Sequence, residues 1–74
     1  MTGHKGGTTD DGLRLALARE IAQWVADNHL TQERAAWVLC MRQADVSHIV
    51  HQNVRGYSLA VLYRAWCRAV APDP

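Results

Sequence analysis

The sequence predicts a small all-α domain, a bundle of four helices preceded by a flexible amino-terminal tail. Apolar residues recur at spacings of three and four along most of the chain, and no segment shows the apolar–polar alternation of a β-strand. Of the 74 residues, 49% are hydrophobic and three are Trp, which supplies a core without a metal or a disulfide. We therefore expect a tail over residues 1–10 and one helical domain over residues 11–72.

A change in composition separates the tail from the first helix. Residues 1–10 are rich in glycine and threonine and hold no periodic apolar residue, so they cannot offset the entropy lost on ordering. The first helix is predicted from about residue 11 to 27. Asp10 and Asp11 complement the dipole at its amino end, and Asn28 is expected to close it in the left-handed conformation. Its apolar positions are Leu13, Leu17, Ile21, Trp24 and Val25.

Two short helices are predicted next. Thr31 is a good N-cap for the first of them, and Gln32 and Glu33 follow in the opening turn. Its inward face is formed by Ala35, Ala36, Val38 and Leu39. The second short helix runs from about residue 43 to 50 and is amphipathic, because its apolar residues lie on one side. Those residues are Val46, Ile49 and Val50.

The last helix is predicted to begin after Ser58, which suits an N-cap, while Tyr57 contacts Leu62 across that cap. It runs to about Ala71, where the prolines that follow stop it. The expected buried stripe consists of Leu59, Leu62, Tyr63, Trp66 and Val70.

Composition narrows the classes of function. The formal net charge is +1, from eight Lys and Arg against seven Asp and Glu, a small basic surplus for a protein that neutralises phosphates. No apolar run approaches the roughly 20 residues of a membrane span. The sequence also shows neither a CxxC pair nor a signal segment. We therefore expect a reduced, cytoplasmic protein that makes no contact with a membrane.

Neither catalysis nor metal binding is expected. Cys40, His48, His51 and Cys67 are the one group able to bind zinc, but their spacing matches no compact ligand pattern. The sequence has no nucleophile–base motif and no cofactor loop, and so short a chain offers no deep pocket. We expect no enzymatic activity, no metal and no cofactor.

The run LTQERAAWVLCMRQADVSHIV, from Leu30 to Val50, resembles the helix-turn-helix of the phage Cro and CI repressors, an XRE-like family that includes the HigA-type antitoxins. The shared features are Leu-Thr-Gln, an Ala-Ala pair, a Val-Leu pair, a short turn and Gln-x-x-Val-Ser-x-Ile. VRGYSLAVL, which begins at Val54, resembles the loop and capped fourth helix of the antitoxin-like branch. The resemblance extends over roughly residues 13–70 and implies a regulator of transcription, with phage-encoded members among its relatives.

In this family the second helix of the motif lies in the major groove, and the start of the first contacts phosphate. The resemblance implies that Gln43 and His48 face bases, where Gln suits a bidentate bond to adenine, and that Ala44 contacts a thymine methyl group. The alternative for Gln43 and His48 is an ordinary solvated surface. The resemblance also implies a phosphate contact from Gln32, with help from Arg42 or Arg55. The implied DNA-binding residues are Gln32, Arg42, Gln43, Ala44, Ser47, His48 and Arg55.

Four positions depart from the family pattern. Cys40 replaces the usual turn glycine, and a positive φ there costs about 1–2 kcal/mol, so we expect a reshaped turn. Arg42 replaces the usual Ser cap. Asp45 either repels nearby phosphates or caps a free amide at the helix start. Trp37 stands where the family has a polar residue, and it either packs against a neighbouring helix or remains exposed for a partner.

Two functions therefore remain open. The first is a sequence-specific DNA-binding repressor or antitoxin that acts as a homodimer on double-stranded DNA, because one short helix makes too few base contacts. The second is a helix-turn-helix scaffold that binds a protein such as host RNA polymerase through Trp37, Arg64 and Arg68. For the two arginines, the alternative is that they complement the dipole of the last helix. Trp24 and Trp66 follow the apolar stripes and are interpreted as core or dimer residues.

Overall fold

The computed structural model describes residues 6–70, with side chains from Asp10 onward. This part of the chain forms four helices, which we number α1 (Gly6–Asp27), α2 (Gln32–Leu39), α3 (Gln43–Val50) and α4 (Leu59–Ala69). No strand occurs among these residues. The predicted all-α bundle is confirmed.

The predicted start of α2 after Thr31 and the predicted bounds of α3 are confirmed, whereas the predicted start of the first helix near residue 11 is too late. Helix α1 begins at Gly6, because extending an existing helix costs much less than nucleating one, even through weak helix formers. The rest of the predicted tail, residues 1–5, lies outside the described residues. Helix α4 ends at Ala69 with Val70 as its C-cap, and residues 71–74 are also outside the described part.

Both predicted N-caps are present. The Thr31 hydroxyl accepts a hydrogen bond of 3.0 Å from the amide of Arg34 at the start of α2. The Ser58 hydroxyl accepts one of 3.2 Å from the amide of Val61 at the start of α4. Each cap satisfies an amide that has no partner within its helix, which fixes where the helix begins.

Helices α1, α2 and α3 each end in a left-handed residue that is not glycine. The φ angles are 53° at His29, 57° at Cys40 and 63° at Gln52. At the end of α2, the Met41 amide donates to the Ala36 carbonyl at 2.9 Å and the Cys40 amide to the Trp37 carbonyl at 3.3 Å. This pair of bonds is a Schellman motif. The expected reshaping of the turn at Cys40 is therefore wrong, since the cysteine adopts the conformation that glycine favours.

The end of α1 corrects a second expectation. The left-handed residue is His29, one position beyond the predicted Asn28. The Asn28 side chain instead donates a hydrogen bond of 2.8 Å to the Trp24 carbonyl. The Leu30 amide donates a hydrogen bond of 3.0 Å to the Val25 carbonyl, so a Schellman motif also closes α1.

The core lies where all four helices meet. Helix α1 packs against α3 and α4, and α2 packs against the same two helices. The Trp66 indole donates to the Glu20 carboxylate at 2.7 Å, which ties α4 to α1. The buried hydrophobic residues are Ala18, Ile21, Val25, Ala35, Ala36, Leu39, Val46, Ile49, Val54, Leu62 and Ala65. Trp24 and Trp66 are half-buried against this core, as the core interpretation predicted.

The inward stripe of α4 is narrower than predicted. Leu62 is fully buried, but Tyr63 is 55% exposed and Val70 is 39% exposed, so both predictions of burial are wrong. Because Leu62 faces the core, the next residue, Tyr63, lies about 100° further around the helix, at the rim of the core. There its ring stacks on that of Trp66 at a centroid distance of 5.8 Å. An apolar groove follows the rim between α1 and α4. This α1–α4 groove is lined by Leu13, Leu17, Leu59, Ala60, Tyr63 and Trp66.

Candidate nucleic-acid interface

Helices α2 and α3 are consecutive, short and joined by the turn 40–42, which is the element order of a helix-turn-helix. Val46 and Ile49 are fully buried and hold α3 against the core. The predicted base-facing residues lie on the rest of the same helix. Gln43, Ala44 and His48 are exposed, and Ser47 is half-buried. We call these four residues the recognition face.

The predicted phosphate contacts lie on three different elements. Arg42 is the N-cap of α3, and its side chain is 85% exposed. Gln32 is half-buried at the first position of α2. Arg55 is exposed in the loop before α4 and lines a shallow depression beside Arg14 of α1. Arg42 therefore adjoins the recognition face directly, whereas Gln32 and Arg55 are contributed from other parts of the fold.

Asp45 is held by two neighbours at the start of α3. Its Oδ2 accepts a hydrogen bond from the Arg42 amide at 3.3 Å and forms a salt bridge with the Arg42 guanidinium at 3.5 Å. Its Oδ1 accepts a hydrogen bond of 2.7 Å from the Tyr57 hydroxyl. Of the two predicted roles, the structure supports the cap. We call Asp45, Arg42 and Tyr57 the Asp45 network.

The network perturbs the titration of both its acidic groups. The Tyr57 hydrogen bond, with the Arg42 amide and charge in support, lowers the pKa of Asp45 below 3.8 against the opposing effect of desolvation. Burial, followed by the adjacent carboxylate, raises the pKa of Tyr57 to about 12. Both shifts favour an ionised Asp45 that accepts a hydrogen bond from a neutral phenol.

Tyr57 also connects α3 to α1. Its backbone carbonyl accepts a hydrogen bond of 2.7 Å from Arg14 Nε, and Arg14 is paired with Asp11 at 3.1 Å. Its ring lies 6.2 Å from the ring of His48, at an interplanar angle of 53°. The sequence motif did not reveal this role, since Tyr57 lies twelve residues beyond Asp45 and no helical spacing links the two.

Trp37 is the largest exposed side chain near the motif. It is 74% exposed, so the alternative that it packs against a neighbouring helix is wrong. The Arg34 guanidinium carbon lies 5.3 Å from the centroid of the Trp37 ring, within cation–π range. Arg64 and Arg68 are also exposed, and they line a separate depression on α4 beside the turn that contains Cys40.

The residues considered for zinc are not assembled into a site. Between residues 6 and 70, the structure holds no cluster of three or more His, Cys, Asp or Glu side chains able to bind a metal ion. Cys40 and Cys67 are both free thiols.

Between residues 6 and 70, none of the helices combines the length and apolar character that crossing a membrane requires.

Comparison with protein-family models, curated proteins and solved structures finds no match to this chain.

Proposed function

We propose that this protein is a transcription regulator that inserts α3 into the major groove of double-stranded DNA. The observation that supports this most is the division of α3 into two sides. Val46 and Ile49 anchor it in the core, while Gln43, Ala44 and His48 face solvent. A rigidly held helix with an exposed amide, a methyl group and an imidazole has the groups that read base edges.

The Asp45 network answers the main electrostatic objection to DNA binding. A free carboxylate at the start of a recognition helix would repel phosphates. Here both oxygens of Asp45 are engaged, and its side chain is only 18% exposed. Arg42 is 85% exposed and remains able to approach a phosphate.

The proposed class is a repressor or an antitoxin of the Cro-like kind that acts in the cytoplasm of a bacterium or of a phage-infected bacterium. A homodimer would place two copies of α3 on half-sites about one helical turn apart. Such pairing doubles the base contacts that one short helix makes and suits a palindromic operator.

The direct test is an NMR titration of the isotope-labelled chain with a random-sequence DNA duplex at low salt. We expect the amides of Gln32, Gln43, Ala44 and His48 to shift together and the shifts to fade as salt is added. If these amides do not move, α3 does not bind DNA and the proposal fails.

A matched pair of variants tests the location of the contact. Arg42→Gln removes a charge beside the recognition face, whereas Arg19→Gln removes the same charge from an exposed position on α1. We expect Arg42→Gln to lower the slope of log affinity against log salt by about 0.9. Arg19→Gln should leave that slope unchanged, and equal effects of the two variants would contradict a contact centred on α3.

The second candidate function is binding to a protein, for which Trp37 is the supporting observation. Trp and Arg are enriched among interface hot-spot residues, and here Trp37 is 74% exposed with the Arg34 guanidinium over its ring. Bacterial RNA polymerase is the partner we propose to test, with Arg64 and Arg68 contacting its acidic groups.

Purified RNA polymerase and the unmodified chain would be compared with Trp37→Ala and with Tyr63→Ala, which removes another exposed aromatic ring. If this candidate is correct, Trp37→Ala weakens binding by at least about thirtyfold, the loss of roughly 2 kcal/mol typical of a hot spot. Tyr63→Ala should have little effect. Equal losses, or no binding by the unmodified chain, would reject this candidate.

A further inference from the structure

We propose that Tyr57 is a positioning residue for DNA binding, because its hydroxyl holds the Asp45 carboxylate against the start of α3 and away from the approaching phosphates. The inference rests on the proposed DNA-binding function. It adds a residue outside the helix-turn-helix motif whose role is to control the charge that this motif presents.

The phenol is itself fixed from two sides. Its ring is half-buried against the core, and its backbone carbonyl is bonded to Arg14 Nε at 2.7 Å. The hydroxyl can therefore hold the Asp45 Oδ1 at 2.7 Å without losing much further freedom. A carboxylate held by a mobile partner would not be restrained in this way.

Asp45 occupies the position where an unrestrained charge would matter most. It directly follows Ala44 in α3 and lies one turn before His48, two residues of the recognition face. Arg42 is its other partner, but that guanidinium is 85% exposed at 3.5 Å and is the group expected to turn toward a phosphate. When Arg42 does so, Tyr57 is the side chain that continues to hold the carboxylate.

The test is a double-mutant cycle with four proteins: the unmodified chain, Tyr57→Phe, Asp45→Asn and the double variant. Binding of a random-sequence DNA duplex would be measured at low salt by fluorescence anisotropy. Tyr57→Phe keeps the ring in the core and removes only the hydroxyl. We expect it to weaken binding by about two- to fourfold, where fourfold is the limit for a unit charge brought from far away to ~5 Å from a phosphate in water.

The Asp45→Asn background separates positioning from packing. With no charge at residue 45, Tyr57→Phe should change affinity by less than about twofold. If Tyr57→Phe has the same effect in both backgrounds, or no effect in either, the positioning role is wrong although DNA binding stands. If the unmodified chain binds no duplex, the proposed function fails and the inference fails with it.

An NMR titration of the Asp45 carboxyl provides a readout that does not depend on DNA. In the unmodified chain its pKa should lie below the ordinary value, and in Tyr57→Phe it should rise toward that value. An ordinary pKa in the unmodified chain would show that the phenol does not hold the carboxylate in solution, which would overturn the inference.

Discussion

Replacing Cys40 by glycine should stabilise this protein, although it removes a side chain from a small domain. Cys40 closes α2 at φ 57° and ψ 45°, in the left-handed region that an L residue other than glycine enters at a cost. Its side chain is exposed, so truncation leaves no cavity. The two hydrogen bonds of this helix ending use backbone atoms alone and are retained in the variant.

The expected gain follows from two opposing terms. The left-handed conformation costs about 1–2 kcal/mol at a residue with a Cβ atom, and glycine avoids that cost. Glycine also makes the unfolded chain more flexible, which costs about 0.5–1 kcal/mol. From the midpoints of these two ranges, we expect Cys40→Gly to raise the free energy of unfolding by about 0.75 kcal/mol. For a domain of this size, that corresponds to about 3–6 °C in the melting temperature.

Thermal and urea unfolding followed by circular dichroism would measure the change, with Cys40→Ala as the matched control. Alanine also lacks the thiol but keeps the Cβ atom, so it retains the strain and should stay within about 0.5 kcal/mol of the unmodified chain. If Cys40→Gly destabilises the protein, or if alanine gives the same gain, the conformational explanation is refuted.

Three further outcomes are expected. Leu62→Ala should lower the free energy of unfolding in urea by about 2–5 kcal/mol, because Leu62 is fully buried. Val61→Ala, at a position that is 40% exposed, should lower it much less. Similar losses for the two variants would contradict the packing of α4. The Tyr57 phenol should ionise near pH 12, measured by tyrosinate absorbance with Tyr57→Phe as the blank. Because that pKa is raised in the folded state, the stability linked to it is complete below pH 10.0 and is lost as the pH rises toward 12. Alkaline unfolding that is the same in Tyr57→Phe would argue against the raised pKa. Trp37→Ala should leave the melting temperature nearly unchanged, and it should remove the tryptophan fluorescence that iodide quenches most readily. A large drop in the melting temperature would mean that Trp37 is packed against the domain.

The parts of the fold set by local chemistry were predictable from the sequence. Thr31 and Ser58 are caps whose acceptor oxygens bond amides three residues away, so neighbouring residues alone decide where α2 and α4 begin. The left-handed residue that follows α1 was predicted one position early, because Asn28 and His29 both tolerate left-handed geometry. The exposure of Tyr63 likewise depends on how α4 is rotated against its neighbours, which the sequence alone does not specify.

The candidate site was predicted only as far as the motif extends. The exposed positions of Gln43 and His48 follow from the amphipathic pattern of α3, since the apolar residues between them must face the core. The hydrogen bond from Tyr57 to Asp45 joins a loop to a helix across twelve residues. Such a contact depends on the path of the loop after α3, and no periodicity in the sequence encodes it.

The α1–α4 groove also affects how the protein behaves at high concentration. Its rim exposes half of Leu13 and more than half of Tyr63, while the net charge is only +1 and the isoelectric point is about 7.9. Near neutral pH the molecules therefore repel one another only weakly, and little electrostatic repulsion opposes association through these apolar surfaces.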